Sequence, residues 1–354
     1  MSLKIALLPG DGIGPEVTAE AVRILKNVAD HAGKSFTFST HRIGGVAIDQ
    51  DGIGLPEATL EACLGANAVL LGAVGNPKFD GRLPSARPEA ALLALRQALG
   101  GYANLRPAKC YAPLAKRTSF QPEKVKGADL LIIRELLGGL YFGEPRGFEA
   151  SGDTAFNTLI YSRHEVERVA RVAFERARER RGRVASIDKA NVLECSQLWR
   201  KVVSDVAKDY PEVALEHVFI DTAAMRLAIS PTSFDVMLCD NLFGDILSDQ
   251  AASVAGSLGL LPSATLGGRV DLYEPVHGSA PDIAGKGWAN PIGAIASAAM
   301  LLRFTAKMEK EAAEVDHAIE DALAAGARTR DLAGPGERVL STQEMGQAIE
   351  DALT

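Results

Sequence analysis

Asp245 and Asp249, in the run DNLFGDILSD, are two carboxylates four residues apart in a stretch that reads as a helix. On a helix that spacing leaves them about 40° apart around the axis and about 6 Å apart along it, so they share one face. Their mutual repulsion, roughly 0.2–0.5 kcal/mol, is small enough for water to absorb, and a plain solvated face accounts for the pair as well as a binding site does. Other groups must decide. Arg96 falls in EAALLALRQALGG, Arg106 in YANLRPAKC and Arg134 at the end of DLLIIRE. Singly, arginines at element ends snorkel or pair at the surface; three together can grip two carboxylates bidentately. Lys189 stands at the turn in IDKAN, and Asp221 and Asp240 each lie just beyond an apolar strand, in FIDTAAM and LCDNLF.

The elements that must carry these groups alternate in the manner of an α/β sheet. KIALLP predicts a buried strand, followed by GDGIGPE and a helix that Pro15 opens and Gly33 closes, with Val17, Ala21, Ile24, Leu25 and Val28 as its apolar stripe. The dinucleotide fingerprint G-x-G-x-x-G fails there, because Pro15 takes the place of its last glycine. FTFSTHRIG, AVLLGAVG, VASID, LEHVF and FDVMLCD predict further strands, and SRHEVERVARVAFERARERR a helix. LYFGEPRGFEASGDTAFNTLIYS, rich in Gly, Thr and aromatics, predicts strands or an arm. LGGRVDLYEPVHGSAPDIAGKGWANP predicts a long irregular loop, uncommon in a compact domain unless it is functional. Ser341 to Glu344 has capping-box spacing.

A chain of 354 residues, 47% apolar, can bury a large core, and its length favours two domains or one large α/β unit. The net charge of −7 argues against a binder of phosphate backbones, so no nucleic-acid partner is expected. Cys63, Cys110, Cys195 and Cys239 lie far apart without CxxC spacing, which predicts reduced thiols that pack in a cytoplasmic protein. The apolar run Ile5 to Leu8 is short and closely followed by Asp11 and Glu16, unlike a signal peptide. Ile292 to Leu302 falls well short of the ~20 residues a membrane span needs, so no membrane partner is expected either.

Taken in order, LLPGDGIGPE, YANLRP, YFGEPRG, DKANVLE, DNLFGDILSD and YEPVHGSAPDIAGKGWANP resemble motifs of the β-decarboxylating 2-hydroxyacid dehydrogenases, the isocitrate/isopropylmalate dehydrogenase family, over nearly the whole chain. The resemblance implies a two-domain α/β fold with a continuous mixed sheet flanked by helices, distinct from a Rossmann fold. Residues 1–101 and 256–354 would form a first, cofactor-binding domain, and residues 102–255 a second, with the metal site and a dimerising arm near residues 140–161. The active site is expected between them.

The chemistry implied by the resemblance is oxidation of a 2-hydroxy acid at C2 with NAD, then loss of the C3 carboxyl through an enolate. Lys189 matches the base; it must shed its proton, which a cation-rich or desolvated setting favours. Asp245 and Asp249 match two metal ligands, and Asp221 a third that also borders the substrate and arrives across a dimer interface. An all-oxygen set favours Mg²⁺ or Mn²⁺ over Zn²⁺, and such an ion is a Lewis acid suited to charge gathering on the C2 oxygen. Tyr141 matches the acid that protonates the enolate.

Arg96, Arg106 and Arg134 match the substrate-carboxylate ligands. Leu92 and Leu93, about one turn before Arg96, would present apolar surface to the substrate's side group. That predicts isopropylmalate rather than isocitrate, whose third carboxylate would lie there unpaired at a cost of several kcal/mol. Glu89 is expected near the nicotinamide. Glu274, His277, Gly278, Ser279, Ala280, Pro281, Asp282, Ile283 and Asn290 are expected to hold NAD, with Asp282 accepting from the adenosine ribose where a 2′-phosphate would be repelled. Thr222, Asp240 and Asn76 depart from the family's common Asn, Glu and Gly and bear on fine positioning. A cytoplasmic homodimer of leucine biosynthesis is expected. The alternatives are sibling activities on tartrate, malate or homoisocitrate, and a non-catalytic anion or nucleotide sensor, against which Lys189, Tyr141 and the three aspartates speak.

Overall fold

The computed structural model describes residues 2–353. They form an α/β fold of mixed sheet flanked by helices, as the sequence predicts. The strands are β1 (Leu3–Gly10), β2 (Phe36–Thr40), β3 (Ala68–Ala73), β4 (Ala103–Lys109), β5 (Asp129–Glu135), β6 (Gly147–Phe148), β7 (Ala155–Phe156), β8 (Arg183–Asp188), β9 (Ala214–Phe219), β10 (Val236–Cys239), β11 (Pro262–Leu266) and β12 (Asp271–Pro275). The chain divides into two compact units, one of Met1–Gly101, Tyr111–Ser119 and Ala255–Thr354, the other of Tyr102–Cys110 and Phe120–Val254.

In the first unit the strand order is β2-β1-β3-β12-β11. All pairs are parallel except β11 with β12. β3 is buried along its whole length, as a parallel strand covered on both faces must be, whereas the edge strand β2 is largely exposed. β12 corrects the expectation of an irregular loop from residue 266 to 291. Leu272 and Tyr273 form a buried island in DLYEP, too short to stand out among the glycines and prolines around it. The helix Ile292–Phe304 is buried from Ile292 to Leu302, and its small residues permit close approach: a Cβ on Gly293 would stand 2.9 Å from the Leu261 carbonyl oxygen.

In the second unit the order is β4-β5-β10-β8-β9, with β4 and β5 antiparallel and the other pairs parallel. In the antiparallel register Asn104 lies opposite Arg134 and Arg106 opposite Ile132. Because side chains alternate along a strand, Asn104, Arg106 and Arg134 therefore share one face. The helices Arg163–Arg178 and Glu194–Ala207 bury Val166, Phe174, Trp199 and Val202 in this unit's core. A capping box of Ser162 and Glu165 starts the first of them, and Ser341 with Glu344 caps the helix Thr342–Asp351 as its spacing predicts. β6 and β7 form a short antiparallel hairpin. Among the described residues no helix is long and apolar enough to cross a membrane.

Candidate active site

Asp245 sits in the helix Asn241–Ala255, and three of the expected site residues converge on it within the second unit. Arg134 pairs with its Oδ1, Arg106 Nη1 lies 3.6 Å from the same oxygen, and Tyr141 donates to Oδ2 at 2.8 Å. Arg106 Nη1 is also 3.8 Å from Asp249 Oδ1. The carboxylate pair thus faces two guanidinium groups, which offset the repulsion that the aspartates would suffer alone. Partial desolvation beside its neighbours raises the Asp249 carboxyl above its ordinary value although much of the side chain is exposed, with Arg106 pulling the other way. Burial and the hydrogen bond to Asp245 push the Tyr141 phenol up to about 12, so it keeps its proton through the neutral range.

The arginines are held by amides and a hydroxyl whose roles the sequence did not reveal. Arg134 is 2% exposed and donates through Nε and Nη2 to Asn241 Oδ1 at 3.0 and 2.7 Å. Asn241 in turn donates to the Leu136 and Gly138 carbonyl oxygens. Arg106 donates to Asn104 Oδ1 and Ser248 Oγ, both at 2.7 Å. Removing one partner of a buried charge typically costs about 3–5 kcal/mol, so these contacts set where the guanidinium groups lie. Asn104 is legible in the sequence as a polar residue two positions before Arg106 on the same strand face. Asn241 and Ser248 are not, because their partners lie more than a hundred residues away.

Lys189 and Asp221 lie at the carboxyl ends of the neighbouring strands β8 and β9 and meet each other: Nζ donates to Asp221 Oδ1 at 2.7 Å. That hydrogen bond holds the Asp221 carboxyl below its usual range. Asp188, 1% exposed, turns the other way and accepts Arg200 Nε and Nη2 at 2.8 and 2.9 Å, fixing the strand end from which Lys189 projects. Among the described residues no group of three or more His, Cys, Asp or Glu side chains could hold a metal ion, so Asp221 does not join Asp245 and Asp249 within one chain.

The first unit carries the remaining residues. Arg96, in the last turn of the helix Pro88–Leu99, donates through Nε and Nη2 to Glu274 Oε1 at 3.2 and 2.7 Å. Glu274 is buried, and its carboxylate thereby anchors the arginine. Leu92 leans on the hydrophobic core while Leu93 is half-buried. Glu89 and Ser279 converge beside Gly75, where a Cβ would stand 3.1 Å from Glu89 Oε1 and 3.5 Å from Ser279 Oγ. The glycine turn after β1 holds this loop from behind: Ile13 N donates to the Ser279 carbonyl at 2.8 Å, and Asp11 accepts from the N–H groups of Gly45, Val46 and Gly75.

Ala280 is left-handed at φ +38°, a strained conformation of the kind that functional loops keep. Asp282 and Pro281 are exposed, as is Gly278, and Ile283 is half-buried. Asn290 accepts from Ile292 N, the first residue of the following helix, and donates to Asp331. Burial lowers the His277 pKa and keeps the ring neutral. Its Nδ1 contacts the Gly278 carbonyl at 2.9 Å, which assigns that nitrogen the proton. Nε2 is then a buried acceptor with no partner, suited to a hydroxyl or amide donor of a dinucleotide.

The sequence profile of the family described as isocitrate/isopropylmalate dehydrogenase matches residues 4–349. The chain belongs to the isocitrate/isopropylmalate dehydrogenase family. Similar members include a 3-isopropylmalate dehydrogenase of Geobacillus kaustophilus, 53% identical over 99% of this chain and 95% of that protein. Another, from Salinibacter ruber, is 55% identical over 98% of this chain and 94% of that protein. Among solved structures, an isocitrate dehydrogenase of Methylococcus capsulatus superposes with a TM-score of 0.89 at 34% identity, covering 99% of both chains. A β-decarboxylating dehydrogenase of Thermococcus kodakarensis gives 0.81 at 37% identity over 99% of this chain and 96% of that one.

Proposed function

We propose that this chain oxidises 3-isopropylmalate at C2 with NAD and decarboxylates the product to 4-methyl-2-oxopentanoate, in leucine biosynthesis. The observation that carries this is the meeting of Arg134, Arg106 and Tyr141 on Asp245, in a chain more than half identical to proteins named for that activity. Arg106 and Arg134, with Arg96, bind the substrate's two carboxylates, and Leu93 meets its isopropyl group. Lys189 takes the C2 hydroxyl proton. Asp221, which holds the Lys189 ammonium in the single chain, must release it for this. Tyr141 delivers a proton to C3 as carbon dioxide leaves, and Asp245 orients its phenol.

The donor sets fit the expected groups: oxygens alone at Asp245 and Asp249, and an orphaned acceptor at His277 beside an exposed Asp282. When bound, NAD would take up the hydride and Mg²⁺ or Mn²⁺ would serve as the electron sink for decarboxylation. We place the working protein in the cytoplasm, as its four free thiols suit, and as a homodimer. Met225, Ile229 and Ile246, each more than half exposed on two helices that carry site aspartates, are the surface a second copy would cover, bringing Lys189 and Asp221 to its partner's Asp245.

NADH formation with 3-isopropylmalate, isocitrate, homoisocitrate, tartrate and malate, each with Mg²⁺ or EDTA, tests the assignment. Isopropylmalate should have the highest kcat/KM and EDTA should abolish turnover; a better substrate elsewhere in the panel would overturn it.

A further inference from the structure

Tyr161 lies outside every role assigned above, yet its hydroxyl joins three elements of the active site. It is 7% exposed, and its ring meets Trp199 edge-on at 5.6 Å between centroids. The oxygen accepts the backbone N–H of Asn241 at 2.9 Å, the first residue of the helix that carries Asp245. The same hydroxyl lies beside the Glu135 carboxylate, on the residue after Arg134, whose charge adds to burial in pushing the phenol up. Glu135 is wholly buried and also accepts from the N–H groups of Leu137 at 3.1 Å and Gly138 at 2.8 Å, which lead to Tyr141.

The Tyr161 ring is also the seat on which the Tyr141 loop rests. A Cβ on Gly138 would stand 2.8 Å from Tyr161 Cε1, and one on Gly139 2.5 Å from Tyr161 Oη. Gly139 is moreover left-handed at φ +72°, and its N–H donates to the Ile160 carbonyl at 3.1 Å. The backbone can reach this position only because two glycines expose it.

We propose that Tyr161 is a positioning residue for the reaction, setting through one hydroxyl the relative placement of Tyr141, Arg134 and Asp245. This rests on the dehydrogenase function proposed above. A phenol oxygen can accept as well as donate, and here it takes the Asn241 N–H while it lies against the loop at Gly139 and beside Glu135. Without the hydroxyl, the Asn241 N–H loses a buried hydrogen bond, and the registry of helix start and loop is left to the Asn241 side chain's bonds to the Leu136 and Gly138 carbonyls. A core tyrosine that served only packing would be replaced by phenylalanine with no preference for any one kinetic constant.

Steady-state kinetics of purified Tyr161→Phe with 3-isopropylmalate, NAD and Mg²⁺ test this. We expect kcat to fall about tenfold or more and KM for NAD to stay within about twofold, because the cofactor residues belong to the other unit. The same change made in Tyr141→Phe should alter kcat by less than about twofold, since the group being positioned is already gone. Gly139→Ala, which intrudes on the hydroxyl from the loop side, should reproduce the kcat-selective loss and serves if Tyr161→Phe does not fold. Equal losses in both backgrounds, or no loss in either, would overturn the positioning role while leaving the proposed activity intact. A wild-type protein inert toward 3-isopropylmalate would overturn both.

Discussion

Tyr141 donates its phenolic hydrogen to Asp245 at 2.8 Å, and the same carboxylate pairs with Arg134. One aspartate therefore orients a proton donor and a carboxylate-binding cation together. Burial, and after it this acceptor, raises the phenol to about 12, which keeps the acid loaded. Tyr141→Phe should lower kcat by about 10²–10⁴-fold, the usual worth of a positioned acid, with little change in KM for NAD. In the wild type, the rate of the alkaline limb between pH 8 and 10 should show no loss attributable to this phenol. A Tyr141→Phe pH profile that differs in shape there would contradict its assignment.

Asp249 has a side chain 65% exposed, so its carboxylate contributes little to folding. Asp249→Asn should leave thermal stability within the ±0.5 kcal/mol or so common for surface changes. Its effect belongs in the metal dependence, where the Mg²⁺ concentration for half-maximal activity should rise at least about tenfold, the price of one hard oxygen ligand. Melting curves and a Mg²⁺ titration of turnover separate the two.

Leu92 and Leu93 are both half-buried, but Leu92 packs against the core cluster, so substitutions at the two positions should differ. Leu93→Ser should reduce kcat/KM for 3-isopropylmalate by about 10–200-fold, the range for losing apolar contact in a pocket, and should narrow its advantage over malate. Leu92→Ser should instead lower Tm, because it opens the core. Melting curves and the substrate panel together distinguish a pocket wall from a packing residue.

Asp240 follows β10, is nearly buried and accepts the Phe243 N–H at 2.7 Å. Burial pushes its pKa from 3.8 up to about 7. Between those values the folded state holds a proton that the unfolded chain has released, so folding stability falls as pH rises through that window. Asp240→Asn keeps an acceptor for Phe243 and cannot ionise. Its Tm relative to wild type should therefore become more favourable from pH 4.5 to pH 8, and a constant difference would refute the shift.

Much of this molecule can be read from the sequence, for physical reasons that also mark where reading stops. Asp245 and Asp249 announce themselves because helical spacing places them on one face, and the apolar runs of β1, β3, β5 and β10 are legible because parallel strands are buried on both sides. β12 was hidden by the glycines and prolines around five residues. Asn241, Ser248 and Tyr161 carry no periodic signature; what makes them matter is a partner 107, 142 or 80 positions away. Arg96 shows the same limit, since nothing local announces that Glu274 will hold it.

The pairing of Lys189 with Asp221, apart from Asp245 and Asp249, has a genetic consequence. If each centre borrows its base from a second copy, a defect in the base and a defect in the acid lie in different centres of a mixed dimer. Lys189→Met and Tyr141→Phe, each inactive alone, should then complement when unfolded and refolded together. Every heterodimer would contain one wholly intact centre and one doubly defective one. Activity restored by mixing would demonstrate sharing between subunits; lasting silence after verified heterodimer formation would assign base and acid to the same chain.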